Sequence, residues 1–369
     1  MCPQTGETVA IVDALTAEGF EAVAACATVE GVVVTYEDRR YRYDVRALDR
    51  AAAITGSQGA SEQPFRLVPT RNGVPIVSVD ATASGALRAG TLDTGHLPTS
   101  VPRRPWPSLD LVLHPLVRLA FGDFDEPVRA DLGVAPTALI DLWPGARVTA
   151  QVLVPFVERA DEETQGIRPG IVAGHQEWRL PFASFARVSA GLFTRDRYGV
   201  DLTTTTYLAN GRAAVTLRAG RTGFARLTDG TWQYSALDLT TASAQVSAVI
   251  APTYGLSTGL TAGRFLSGEA GVRVDLSRTF GETDVSVFGL TSGGEPNVGG
   301  RISIPLPVRR HARPGRVRAR LADAFEAEYR YRRVPGEAPS YDVDPAPWRP
   351  LGDLNPSLLP YRIQRLDAP

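Results

Sequence analysis

The sequence predicts a mainly β protein, a transmembrane antiparallel β-barrel of about 12–14 strands with a small N-terminal α/β periplasmic module. Three observations predict it. Segments of about ten residues alternate apolar and polar side chains with a period of two, repeatedly, between residues 108 and 306. The apolar rows are mostly Ala, Val, Gly and Thr, whereas a soluble sandwich needs Ile, Leu and Phe to fill the space between its sheets. No run of about eighteen apolar residues is present to make a helical span, and a barrel needs none.

The clearest alternation lies in residues 256–306, where four β-like segments (256–265, 269–280, 284–290 and 301–306) are parted by glycine-bearing turns. In the second of these, Ala270, Val272, Val274 and Leu276 alternate with Gly271, Arg273, Asp275 and Ser277. Upstream, Val148, Ala150, Val152 and Val154 alternate with Arg147, Thr149 and Gln151, and Ala186, Val188, Ala190 and Leu192 with Arg187, Ser189 and Gly191. Val215, Leu217 and Ala219 alternate with Thr216 and Arg218, and Ala244, Val246, Ala248 and Ile250 with Gln245 and Ser247. Asn210 and Gly211, between segments 200–208 and 213–219, make the clearest turn, because both central residues of a type I′ turn need positive φ. Asp229 and Gly230 repeat that signal.

Ahead of these strands, Thr5 can cap a helix with the apolar stripe Val9, Val12 and Leu15, closed by Gly19. Residues 22–28, 32–37 and 41–45 read as strands and 45–54 as a second short helix, which together make the α/β module of residues 1–60. Residues 61–107 form a linker: a polar stretch to Pro64, a hairpin over 65–79 turning at Asn72 and Gly73, then a proline-rich segment with His96 and residues 103–107. The barrel occupies 108–306. Residues 307–369 read as a basic, proline-rich periplasmic tail, with a helix over 322–329. Its basic run, from Arg309 to Arg320, suits a solvated or lipid-headgroup-facing surface.

The formal net charge is −1, and all 39 basic residues are arginines. That balance gives no case for nucleic acid and follows from genomic base composition. The two cysteines, Cys2 and Cys26, form no metal motif. Residues 1–7 have neither the basic nor the apolar region of a secretory leader, so the natural start is expected upstream, where Cys2 would become a candidate acylation site.

The run LSTGLTAGRFLSGEAGVRVDLSRTFGETDVSVFGLTS, continuing to GGRISIPLP, resembles the closing strands of the YjbH family, outer-membrane proteins of exopolysaccharide and capsule biogenesis. The matching motifs are a Gly-Arg-aromatic-Leu turn at 263–266, an Asp-Leu-Ser-Arg strand end at 275–278 and an Ile-Pro-Leu triplet at 304–306. LPFASFARVSAGLFTRDRYGVDLTTTTYL and the N-terminal helix-strand-strand pattern resemble the same family, whose later part this chain would represent. The resemblance implies an outer-membrane location and a non-enzymatic part in polysaccharide export, with lipid, exopolysaccharide and other envelope export proteins as partners.

His96, His114, His175 and His311 are scattered and sit in no nucleophile, zinc or kinase motif. Asp161, Glu162 and Glu163 read as a solvated turn, and the Gly-rich 289–296 follows a strand without opening a helix, so it lacks the amides that cradle phosphate. No catalytic, cofactor or metal residue is assigned. If the apolar rows face lipid, Arg187, Asp201, Arg218, Gln245, Arg273, Asp275 and Arg301 line the lumen. Such charges can pair with one another and plug the barrel, or offer a hydrated path to a glycan. Two rival readings are a soluble or surface-attached all-β carbohydrate-binding sandwich and a barrel hydrolase.

Overall fold

The computed structural model describes residues 5–29, 31–58, 64–94, 107–121, 128–157, 166–228, 230–313, 315–331 and 340–366. His96, residues 103–106, the acidic run 161–163, Cys2 and Asp229 lie outside them. Helix α1 (Gly6–Glu18) starts at a capping box, in which the Thr8 amide donates to Thr5 Oγ1 at 3.2 Å and the Thr5 amide to Thr8 Oγ1 at 2.9 Å. Gly19, at φ 112°, ends it. The buried stripe is Thr8, Ile11 and Leu15 rather than Val9, Val12 and Leu15, and Val9 is exposed.

Strands β1 (Glu21–Thr28) and β2 (Gly31–Glu37) form an antiparallel hairpin. The strand expected at 41–45 is absent. Instead the Asp38 carboxylate accepts from the amides of Arg40 (2.9 Å) and Tyr41 (3.2 Å), a turn that leads into helix α2 (Asp44–Ser57). β3 (Phe65–Arg71) then pairs parallel to β2, so α2 is the crossover of a βαβ unit. Asn72 (φ 50°) and Gly73 (φ 71°) turn the chain as expected into β4 (Val74–Pro75), and β5 (Ser78–Ala81) and β6 (Leu87–Thr91) complete a six-stranded sheet. The module therefore extends well past residue 60: Phe65, Leu67, Val77 and Val79 belong to the same buried core as Ile11, Val34 and Leu48.

The rest is one fifteen-stranded sheet. Its meander runs β7 (Ser108–Phe121), β8 (Val128–Trp143), β9 (Ala146–Val157), β10 (Arg168–Leu180), β11 (Ser184–Phe193), β12 (Arg197–Leu208) and β13 (Ala213–Thr228), each antiparallel to the next. Short β14 (Thr231–Tyr234) folds back on β13, and the meander resumes with β15 (Leu239–Ala251), β16 (Leu256–Arg264), β17 (Ala270–Phe280), β18 (Thr283–Ser292) and β19 (Glu295–Pro305). Residues beyond 306 were expected to leave the sheet and form a helix over 322–329. They form β20 (Val317–Leu321), parallel to β7, and β21 (Ala324–Arg330), antiparallel to β19. The helix reading failed because Phe325, Ala327 and Tyr329 alternate with Glu326 and Glu328, a period of two. Both edges of the meander thus hydrogen-bond to one continuous segment: the Ala322 amide donates to Leu113 O, and the Leu306 amide to Asp323 O, each at 3.0 Å.

The two faces differ as the alternation requires. Val188, Val246, Val272 and Val274 are exposed, while Arg187, Asp201 and Arg273 are buried. Ala186 shares the exposed row but is buried; it sits directly across the ladder from Trp178. Connections at one end are short (144–145, 181–183, 209–212, 252–255 and 281–282), and the module docks there. The Gly145 amide donates to Asn72 O at 2.7 Å, Arg42 Nε to Glu282 at 2.9 Å, and Arg39 Nη1 to Asp110 at 2.9 Å. The Asn210-Gly211 turn is a docking device as well as a hairpin loop. Asn210 accepts from the Leu92 amide at 3.0 Å and donates to Gly90 O at 2.8 Å.

Asn210→Ala should leave the hairpin intact but strip two hydrogen bonds from the module, costing about 1–3 kcal/mol, and limited proteolysis between residues 82 and 94 should accelerate. Burial raises the Asp38 carboxyl to about 7, with Asp44 adding to the rise and the Arg40 and Tyr41 amides opposing it. The folded state then holds a proton that the unfolded state has already released. Stability of the full chain should therefore fall as pH rises from near 4 through 7, and Asp38→Asn should flatten that slope in thermal unfolding.

Candidate functional site

The candidate site is the polar face of the large sheet, together with the C-terminal segment that fills it. Inward and outward side chains are fixed by the pleat: once Val188, Leu202 and Leu217 face outward, their neighbours Arg187, Asp201 and Arg218 must face the other way. Cross-strand register then brings Asp201 opposite both Ser189 on β11 and Gly220 on β13.

Three of the seven residues singled out in the sequence converge on residues 340–348. Arg218 Nε pairs with Asp201 Oδ2 at 2.8 Å, and the same oxygen accepts from the Tyr341 hydroxyl at 2.9 Å. Arg218 Nη2 donates to Tyr341 O at 2.9 Å and Nη1 to the Ser340 hydroxyl, with the guanidinium 4.7 Å from the Tyr341 ring centre. That ring is fully buried and stacks on Phe193, with centroids 5.1 Å apart and planes at 3°. Gly220 makes room for it, since a β-carbon there would overlap the tyrosine hydroxyl. Further along, Arg187 lies 3.4 Å from the Asp344 carboxylate and 3.7 Å from Glu177, and 5.5 Å from the Trp348 ring centre.

Three others form a separate network. Arg273 pairs with Asp275 at 2.7 Å and approaches Glu328 at 3.6 Å, while Arg301 binds Glu328 at 2.7 Å. Gln245, on β15, lies between the two groups in strand order, beside Gly259. Tyr341, Asp344, Glu177 and Glu328 went unrecognised in the sequence. Glu328 was legible from its alternation with Ala327 and Tyr329; the tail residues carry no periodic signal.

The segment 340–348 runs the height of the sheet. At the end away from the module it exchanges bonds with Thr194, whose amide donates to Asp342 O at 3.0 Å and whose hydroxyl accepts from the Asp342 amide at 2.7 Å. At the module end, Arg349 pairs with Asp284 at 3.0 Å, and its carbonyl accepts from Arg71 at 3.0 Å. Leu351, Leu354 and Leu359, the last opening helix α3 (Leu359–Gln364), then enter the module core.

One group has the residue types of a hydrolytic triad. His175 Nδ1 shares a 2.9 Å hydrogen bond with Ser189, but Asp344 is 4.0 Å from Nε2 and the serine is only 1% exposed, so no substrate carbonyl reaches it. His311 bonds Asp323 at 2.9 Å. Among the described residues, no group of three or more His, Cys, Asp or Glu side chains converges to hold a metal ion, and no helix is long and apolar enough to cross a membrane.

No protein-family model matches the chain, and no curated protein matches it in sequence. Among solved structures it is similar to a loop L8 deletion mutant of OmpT, an outer membrane protein of Vibrio cholerae, at 10% identity and a TM-score of 0.29, over 53% of this chain and 87% of that one.

Asp201→Ala should strand the Arg218 guanidinium and the Tyr341 hydroxyl together, costing about 3–5 kcal/mol, whereas Asp201→Asn keeps an acceptor and should cost less. The denaturation midpoint of the folded protein measures both.

Proposed function

We propose that the chain is an outer-membrane β-barrel protein with a non-enzymatic part in the export or assembly of exopolysaccharide or capsule, its α/β module standing in the periplasm. One observation carries the membrane reading: an exposed apolar belt framed by two collars of aromatic rings. Leu217 is 53% and Val274 50% exposed, far above what a water-facing sheet tolerates over so many strands. Trp143, Trp178, Phe182, Tyr254 and Phe280 are exposed at the short-turn end, and Phe156, Trp232, Tyr234 and Tyr331 at the other. Tryptophan and tyrosine favour membrane–water interfaces, where an apolar ring meets water on one side.

Dimensions agree. On β12 the outward row runs from Val200 to Leu208, about 27 Å of strand, which the usual tilt of roughly 40° shortens to about 20 Å, the same order as the apolar band such barrels present. An apolar trough of about 550 Å³ on the outer face, lined by Val274, Leu276, Val287, Val298 and Tyr329, suits lipid tails. Closure into a barrel is supported by the shared segment at both sheet edges, because lipid offers a free edge no partner. Short turns on the module side are the periplasmic habit of these proteins. A carbohydrate-binding sandwich would instead bury the rows that are exposed.

The polysaccharide assignment draws on the resemblance of residues 256–306 to the YjbH family and on the mixed Arg, carboxylate and aromatic lining of the inner face. The test is expression behind a secretory signal, with fractionation and gel mobility before and after boiling. Recovery in the outer membrane with a folded band that shifts on boiling is expected, and a freely soluble periplasmic product would overturn the reading. Val272→Arg should destabilise the membrane-inserted form by about 2–4 kcal/mol, read from the urea midpoint of that shift.

A further inference from the structure

We infer that residues 340–348 act as a built-in stand-in for a carboxylate-bearing glycan strand, occupying the track that such a strand would follow along the inner face; this rests on the barrel reading above.

Tyr341 and Asp344 of the tail have counterparts in an acidic sugar chain. The Tyr341 ring lies flat on Phe193 with planes at 3°, as the C–H face of a sugar ring lies on an aromatic platform. Its hydroxyl donates to Asp201 while its carbonyl accepts from Arg218, the donor-and-acceptor pair that a sugar diol presents. Asp344 sets a carboxylate 3.4 Å from Arg187, as a uronic acid would. The segment reaches from Thr194, at the end away from the module, to Asp284 at the module end. The wall is shaped for the occupant, since Gly220 withholds the methyl that would strike the Tyr341 hydroxyl.

Holding and release are both provided for. The tail meets the wall through an apolar cluster, Tyr341 and Val343 against Ile171, Ala173, Phe193 and Leu266, and through polar bonds, and the wall keeps its own charge compensation when the tail leaves: Arg218 retains Asp201 at 2.8 Å and Arg187 retains Glu177 at 3.7 Å. Beyond residue 349 the tail is fastened by apolar burial in the module, through Leu351, Leu354 and Leu359. Displacing residues 340–348 therefore leaves the chain tethered.

The test uses the full-length protein in planar lipid bilayers, with oligogalacturonate and neutral dextran oligomers of matched length as probes. The unaltered protein is expected to conduct poorly and to ignore both probes. Tyr341→Ala, which removes the occupant's ring, and Gly220→Ala, which expels it from the wall side, are both expected to open steady conductance. Oligogalacturonate should block that current at about a tenfold lower concentration than dextran, one charge-assisted contact's worth of preference, and adding Arg187→Gln should erase the difference. Inserted, heat-modifiable variants that stay silent, or equal block by the two probes, overturn the inference. Asp344→Asn, which leaves the ring stack untouched and should still loosen the tail, takes the place of any variant that fails to fold. A protein that never inserts would count against the barrel reading instead, so the two failures are told apart.

Discussion

Everything in the large sheet depends on where its edges find hydrogen-bond partners. Thirteen strands from β7 to β19 leave two rows of unpaired amides and carbonyls, and the apolar rows beside them give those groups little access to water. The segment 316–330 answers part of each row, along residues 109–113 of β7 and 299–305 of β19. Its first half lies along β7 and its second along β19, with only Ala322 and Asp323 between, and those two residues also take part in backbone bonds to the neighbouring strands. A parallel partner on one side and an antiparallel one on the other lets a single stretch of chain serve both edges.

Placing the apolar side chains on one face creates a second demand, since the charged rows of the opposite face must find partners where they are buried. A lone buried guanidinium is costly, and a paired one contributes little net stability while punishing any misplacement. The inner face meets this demand with Arg–carboxylate pairs along neighbouring strands, Arg147 with Asp141, Arg218 with Asp201, and Arg301 with Glu328. These pairs act as register keys: a slip of one residue would turn every one of them toward the apolar side.

Legibility in the sequence follows the range of the interaction. Which way Arg187, Asp201, Arg218, Arg273 and Arg301 point was readable because the pleat is local: each orientation is set by apolar neighbours one position away. The Asn210-Gly211 and Asn72-Gly73 turns were readable for the same reason. What those arginines touch was not, since Tyr341 reaches Asp201 across 140 positions and nothing in its neighbourhood announces an inward course. The parallel pairing of β3 with β2 was hidden by the polar stretch after α2, which has the composition of a linker although it returns the chain to the same sheet. Residues 322–329 misled because alanine and glutamate favour helix over so short a window, and pairing with β19 overrides that preference.

The joining of segments from before and after the strand meander in one core has a consequence for how this protein can come to be. Ile11 and Leu15 from the first helix share buried surface with Leu351, Leu354 and Leu359 from the last residues described, and hydrogen bonds at the module end link positions 240, 276 and 278 apart. Contacts so distant along the sequence form late and slowly, because the whole intervening loop must be ordered before they are rewarded. The α/β module thus waits for residues 351–359, which follow the whole strand meander, to complete its interior. A nascent chain interrupted anywhere in the strand meander would carry an unfinished module, so assembly of the module reports on synthesis of the whole sheet.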